Sequence, residues 1–315
     1  MLKIMKAIKP ILRPIHRCGV RMRSNILGAP IRPSKVFYTY TRRLAVSPVV
    51  PPHIRCCEDA YAQELQEKGF VTIPDLYDPN LIQEIHEQFV PLIENEQFIQ
   101  RFKYSRTIRA EVDLKQYMPK IFSFAQNERL KKVLHSFYKS YFKLFSIPST
   151  RLLHIPKSDR TKENLLSARW HCDNGPKDLI HMAVFLHDVT EAHGPTFLQT
   201  RQRTRQLMRM GFYTRHDYAV ALEEMEDKTY VKQLTGKIGT AHLMLPNVCL
   251  HRAGIPEAGY IRDSLFFSFR PGLEPKQVKS LAPLQSRIYQ MMEKISEDAV
   301  NPISPTYEGR DIVYS

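Results

Sequence analysis

From residue 149 onward the apolar residues recur at every second position, whereas before it they recur every third or fourth. That switch constrains the fold more than any other feature, because a pattern of one period cannot bury its apolar face in a structure of the other. Candidate strands are 149–155, 167–172, 179–187, 195–199, 238–244 and 262–269. Each is short and bounded by turn-forming residues, as in a β-sandwich or jelly roll. Upstream, residues 58–69 read as an amphipathic helix closed by Gly69, and residues 70–74 as a short strand. Asp78-Pro79 opens a second helix with Leu81, Ile82, Ile85, Phe89 and Val90 on one face. A third is expected over 127–144, with Leu130, Val133, Leu134, Phe137 and Tyr141 as its stripe. Residues 200–236 interrupt the strands and read as helical, basic at first and acidic later, and 281–296 read as a final helix. The expected class is mainly β within an α+β fold, a helical N-terminal layer packed on a β core.

The formal net charge is +14, from 46 basic and 32 acidic residues, but it is unevenly spread. Residues 1–57 hold 12 Lys and Arg and no Asp or Glu, which leaves 34 basic against 32 acidic, or +2, for the remainder. Basicity is therefore a property of an N-terminal arm, and a nucleic-acid-binding surface over the folded part is disfavoured. Pro10, Pro14, Pro30, Pro33, Pro48, Pro51 and Pro52 keep the arm from forming a long helix. Three readings of it stand open: a partly disordered tail, a segment attached to an anionic membrane surface, or an organelle-targeting presequence. Beyond the arm, 58–296 reads as a single domain: a helical layer 58–148, a β core 149–272 with the 200–236 insertion, and the helix 281–296. Residues 297–315 form a tail. No apolar run of membrane-spanning length occurs, and charges and prolines cut the first apolar stretches too often for a secretory signal. The five cysteines, Cys18, Cys56, Cys57, Cys172 and Cys249, form no disulfide framework and no CxxC pair. They fit a reducing intracellular compartment, cytoplasmic unless the arm directs the chain to a membrane or an organelle.

The chemistry concentrates around Trp170-His171-Cys172-Asp173. Residues i and i+2 of an extended segment point to one side, so His171 and Asp173 can reach the same ion. His-x-Asp is common by chance and gains meaning only from context. Here the context is His251, which follows the apolar stretch 243–250. A histidine from a later antiparallel strand would complete two His and one carboxylate, a set that occupies one face of an octahedral Fe(II) and leaves positions for substrates. Eleven residues on, Arg262 and Ser264 begin a strand. An Arg on the inner wall of a barrel is costly unless it meets a carboxylate, and its planar fork suits bidentate binding of one.

These pieces resemble the phytanoyl-CoA dioxygenase family of Fe(II)- and 2-oxoglutarate-dependent oxygenases. The matching stretches are Trp170-His171-Cys172-Asp173, Val184-Phe185-Leu186-His187-Asp188-Val189-Thr190 with Gly194-Pro195, His251, and Arg262-x-Ser264; Gly69-Phe70-Val71-Thr72-Ile73-Pro74 resembles the family's opening. The resemblance covers about residues 60–272. It implies a double-stranded β-helix, the cupin-like form of the jelly roll. It implies that His171, Asp173 and His251 bind Fe(II), and that Arg262 with Ser264 holds the distal carboxylate of 2-oxoglutarate. It also implies consumption of O2, release of succinate and CO2, and hydroxylation of a C–H bond. A carboxylate at Asp173 favours hydroxylation or desaturation over halogenation. The chain departs from the family at Phe197-Leu198-Gln199-Thr200-Arg201, where many members carry Pro-Gly-Ser-His, and in the 200–236 insertion, so the substrate is not inherited; small, lipid-like and anionic molecules all stay open. The competing function is a non-catalytic peripheral-membrane or nucleic-acid-binding protein on the same scaffold, which the complete donor set and Arg262 argue against. His154 is either an aid to the cosubstrate or a satisfied core histidine. The arginines between 201 and 215 are either a solvated helix face or a patch for an anionic group; aromatic residues interleave them only at Phe212 and Tyr213, too few for nucleic acid. Cys172 and Cys249 are expected simply to pack, and His181, His187 and His193 complete no second metal site.

Overall fold

The computed structural model describes residues 49–102, 107–160, 167–173, 176–210, 230–273, 275–298 and 312–314. Most of the N-terminal arm, residues 211–229 of the insertion and most of the C-terminal tail lie outside the described residues. No helix among the described residues is long and apolar enough to cross a membrane.

Helix α1 (Ala60–Lys68) starts where the Asp59 carboxylate accepts the Tyr61 and Ala62 N–H groups at 2.9 and 3.3 Å. It ends at Gly69, whose φ of +88° favours glycine. Helix α2 (Pro79–Glu94) begins with Asp78 as cap and Pro79 in its first turn, and buries Ile82, Ile85 and Phe89 as their spacing predicts. Helix α3 (Glu128–Tyr138) is shorter than the expected 127–144. Lys139 takes a φ of +51° and closes it, and the chain re-enters as a strand from Phe142. Backbone pairing with a neighbouring strand there overrides a helical apolar spacing.

Two antiparallel sheets follow. The larger has nine strands in the order β1 (Phe70–Ile73), β9 (Ala241–Met244), β6 (Ile180–Phe185), β11 (Arg262–Pro271), β5 (Ser149–Leu152), β3 (Thr107–Ala110), β2 (Ile99–Phe102). Within it β4 (Phe142–Ser146) also pairs with β11, and β12 (Ile312–Tyr314) with β4. The smaller has three: β10 (His251–Ala253), β7 (Thr196–Gln199) and β8 (Val231–Leu234). Strands β2, β3 and β4 lie in the stretch expected to be helical. The insertion opens as helix α4 (Arg201–Arg209) but ends as β8, which pairs with β7. Residues 167–172 form no strand; only His171 makes a bridge, to His251. Helix α5 (Pro283–Asp298) lies between β11 and β12 in the chain.

The period of two sorts β6 and β11 into two faces. Met182, Val184, Leu265, Phe267 and Phe269 face the helical layer and share one core with Leu65 of α1, Phe89 of α2 and Leu134 of α3. Each fully buried phenylalanine there, such as Phe267, contributes roughly 2–3 kcal/mol of transfer free energy. The opposite face carries Arg262, Ser264, Phe266 and Ser268 on β11, with Phe185, Ala183 and His181 paired against the last three. Arg262 on this face donates to the Gly194 carbonyl, two residues before β7, so the face looks towards the small sheet.

Candidate metal centre and anion anchor

His171 and His251 exchange both backbone hydrogen bonds, at 3.0 and 2.9 Å, as directly opposed antiparallel residues do. The Asp173 N–H donates to the Pro246 carbonyl at 2.9 Å, which fixes the chain two residues on. The side chains consequently converge. Nε2 of His171 lies 3.5 Å, and Nε2 of His251 3.7 Å, from Oδ1 of Asp173. One ligand atom from each of the three residues lies within 4.8 Å of the others. Neighbouring ligands of an octahedral ion at ~2.1 Å stand about 3 Å apart, so each His–Asp separation is within about half an ångström to an ångström of what one ion needs.

The outer nitrogens are already committed. Nδ1–H of His171 donates to the Arg169 carbonyl at 2.7 Å and Nδ1–H of His251 to the Cys249 carbonyl at 3.2 Å, which leaves both Nε2 lone pairs facing inward. Burial pushes His251 down to about 4 against the pull of Asp173, so it is an uncharged ligand nitrogen at neutral pH. Burial alone would raise the Asp173 carboxyl, but the nearby His251 and His171 imidazoles outweigh it and hold the group well below the usual carboxylate range. A neutral His251 beside an ionised Asp173 suits a divalent cation.

Arg262 is 4% exposed and starts β11 on the inner face. One Nη donates to the Gly194 carbonyl, while Nε is buried with no partner. No carboxylate among the described residues pairs with it, and burial pushes its pKa down to about 10. Two residues on, Ser264 Oγ lies 3.3 Å from Thr150 Oγ1, both buried. A buried guanidinium with an orphaned N–H beside paired hydroxyls could hold an anionic oxygen group.

The alternate residue, Asp263, points the other way. It accepts two hydrogen bonds from Arg151 at 2.7 and 2.8 Å and lies 3.0 Å from His86 Nε2, and its N–H donates to His187 Nε2 at 3.1 Å. His187 is thus structural, as is His193, which caps a turn with Thr190. His181 lies on the inner face and feels the Asp173 charge, yet stands outside the metal-capable group. Nδ1–H of His154 donates to the Pro256 carbonyl at 2.7 Å. Burial raises the Cys172 thiol and pushes Cys249 up to about 12, so both are inert packing groups. Of the arginine run, Arg201 donates to the Gln66 carbonyl at 2.9 Å and Arg203 sits over the Tyr230 ring, so these two are not a solvated face; Arg215 lies outside the described residues. Sequence reasoning missed the Asp263–Arg151 pair and His242, whose buried ring nitrogen has no partner. Alternation along 262–264 and 240–244 was the available signal.

No protein-family model and no curated protein matches the chain. Among solved structures it is similar to the non-heme alpha ketoglutarate dependent epimerase SnoN from nogalamycin biosynthesis, at 14% identity and a TM-score of 0.49 over 67% of this chain and 82% of that one. It is also similar to EctD from S. alaskensis, at 16% identity and a TM-score of 0.48 over 68% and 77%. HygX from Streptomyces hygroscopicus with nickel and 2-oxoglutarate bound gives 14% identity and a TM-score of 0.45 over 69% and 88%. Overlaps of that extent fix neither activity nor ligand.

Proposed function

We propose that this chain is an Fe(II)- and 2-oxoglutarate-dependent dioxygenase of the phytanoyl-CoA dioxygenase type, built on a double-stranded β-helix in a single domain over 58–296. His171, Asp173 and His251 would hold the iron, and Arg262 with Ser264 the distal carboxylate of 2-oxoglutarate. The observation that carries this reading is the pairing, in one interior, of a three-donor set with a buried arginine that has no carboxylate of its own. Either alone has common structural explanations; together they match the two ends of a chelating keto acid. Bound iron, with 2-oxoglutarate and O2, would supply the oxidation of a substrate C–H bond, yielding succinate and CO2.

The chain's own residues do the rest. The Arg169 and Cys249 carbonyls orient the two imidazoles, and Asp173 supplies the negative ligand. Arg262 neutralises the distal carboxylate in a buried setting where that pairing is strong. Phe185, whose ring lies 5.9 Å from the guanidinium, shields it on one side. Hydroxylation of a small or lipid-like substrate is the reaction favoured.

Anaerobic addition of Fe(II) and then 2-oxoglutarate tests the assignment through the weak visible charge-transfer band of the chelate. The band is expected in the wild type and absent in His171→Ala. No band in the wild type, or the same band in the variant, would overturn it.

A further inference from the structure

The inner face of the large sheet also carries polar groups that the proposed metal and carboxylate sites leave unused, and one of them is fully buried with an orphaned atom. His242 on β9 is fully buried. Its Nδ1 shares a 3.0 Å hydrogen bond with Thr72 Oγ1 of β1, and its Nε2 is buried without a partner. Strand pairing fixes where the ring stands. Thr72, His242, Ala183 and Phe266 are directly opposed, in that order, across β1, β9, β6 and β11. Directly opposed residues share a face, so His242 shares the inner face with Arg262 and Ser264.

The imidazole centroid lies 5.3 Å from that of the Phe185 ring. The Arg262 guanidinium lies 5.9 Å from the same ring. Both polar side chains therefore stand beside one phenyl group, and each has a buried nitrogen with no partner among the described residues. Burial and the charge of Lys232 hold His242 down to about 4, so the ring is neutral at working pH. If the Thr72 hydroxyl donates to Nδ1, the ring proton sits on Nε2 and that nitrogen becomes a donor. A carboxylate already neutralised by one arginine calls for a further neutral donor, not a second cation.

We propose that His242, oriented by Thr72, is a second hydrogen-bond donor to the distal carboxylate that Arg262 anchors, and so a determinant of cosubstrate choice. The inference rests on the function proposed above. It goes beyond it in assigning a residue on a different strand to the keto acid's far end.

Calorimetric titration of the full chain, loaded with Mn(II) in place of iron, tests it with 2-oxoglutarate and with oxalate, which chelates the metal but has no distal arm. His242→Asn keeps an amide against Thr72 and removes the Nε2 position; His242→Gln returns a donor there. The Asn variant is expected to weaken 2-oxoglutarate about tenfold or more, and the Gln variant to stay within about threefold of wild type. Thr72→Val, which frees the ring, should fall between. Oxalate should bind all four proteins alike. Unchanged 2-oxoglutarate affinity in His242→Asn, or equal loss of both ligands, overturns the inference. A wild type that binds oxalate but not 2-oxoglutarate overturns the proposed function as well. A wild type that binds 2-oxoglutarate, loses it in Arg262→Met and ignores His242 overturns this inference alone.

Discussion

Replacing Arg262 by methionine should move stability and cosubstrate affinity in opposite directions. Burial brings the guanidinium from its ordinary 12.5 to about 10. That fall corresponds to about 3 kcal/mol of unfavourable charge burial in the ligand-free protein. The bond to the Gly194 carbonyl returns about 1.5–2 kcal/mol of that, as bonds to charged groups do. Methionine of similar length relieves the burial and forfeits the bond, for a net gain of about 1 kcal/mol. The melting temperature without ligand should rise by about 2–4 °C. With 2-oxoglutarate the sign reverses. A carboxylate meeting Nε and the adjacent Nη makes two charge-assisted bonds, about 3–6 kcal/mol together. Their loss weakens binding by about 100- to 10,000-fold. Thermal melts of the Mn(II)-loaded protein, with and without 2-oxoglutarate, read both effects in one experiment. A variant that melts lower without ligand and still gains as much stability as wild type from 2-oxoglutarate would refute both halves of the argument.

His171→Ala should weaken metal binding by more than about 100-fold, beyond the effect usual for residues that only support a ligand; equilibrium dialysis with Mn(II) measures it, and unaltered stoichiometric binding would remove His171 from the site. Asp263→Asn leaves Arg151, 11% exposed at its side chain, facing only the exposed Glu94. A loss of about 3 kcal/mol or more in urea unfolding at pH 7 is expected. For Asp263 burial alone would raise the pKa, but the hydrogen bonds from Arg151 and His86 lower it below 3.8. Its stabilisation is therefore complete above the ordinary carboxylate value and is lost as pH falls through the lowered one, so the gap between wild type and variant should close below about pH 4. Gly194→Ala forces a Cβ to 2.4 Å from the Pro256 nitrogen at a φ of +63°. It should cost about 2 kcal/mol or more and weaken 2-oxoglutarate, because the Gly194 carbonyl steadies Arg262; an Ala variant as stable as wild type would show that the turn is free to adjust.

The long apolar periods were legible. Helix α2 and strands β5, β6, β7, β9 and β11 lie within or close to the stretches read from alternation alone, because their apolar faces carry the core. The short strands were not. β2 and β3 pair with each other at a sheet edge, and β4 follows a helix whose spacing continues past its real end at Lys139. Such segments become strands through their neighbours, which a single sequence does not display. The convergence of His171, Asp173 and His251 was readable because their spacing is local on one side and the apolar stretch 243–250 leads to the other. The segment before His171 was misread as a strand, since one bridge to His251 suffices to hold it. His242 escaped notice because a buried histidine on a strand resembles any core residue until the atoms around both ring nitrogens are known.

Strand β11 places Arg262, Asp263 and Ser264 on alternating sides. A slip of one residue during folding would bring Asp263 to the inner wall and thrust Arg262 among the apolar side chains beneath the helices. The misplaced carboxylate would then lie on the inner face with no arginine beside it, while Arg151 would lose its partner on the far side. Two charge clusters of opposite need, set back to back on consecutive residues, thus act as a proofreading device. Only one alignment of this strand satisfies both at once, and any other leaves buried charges unpaired.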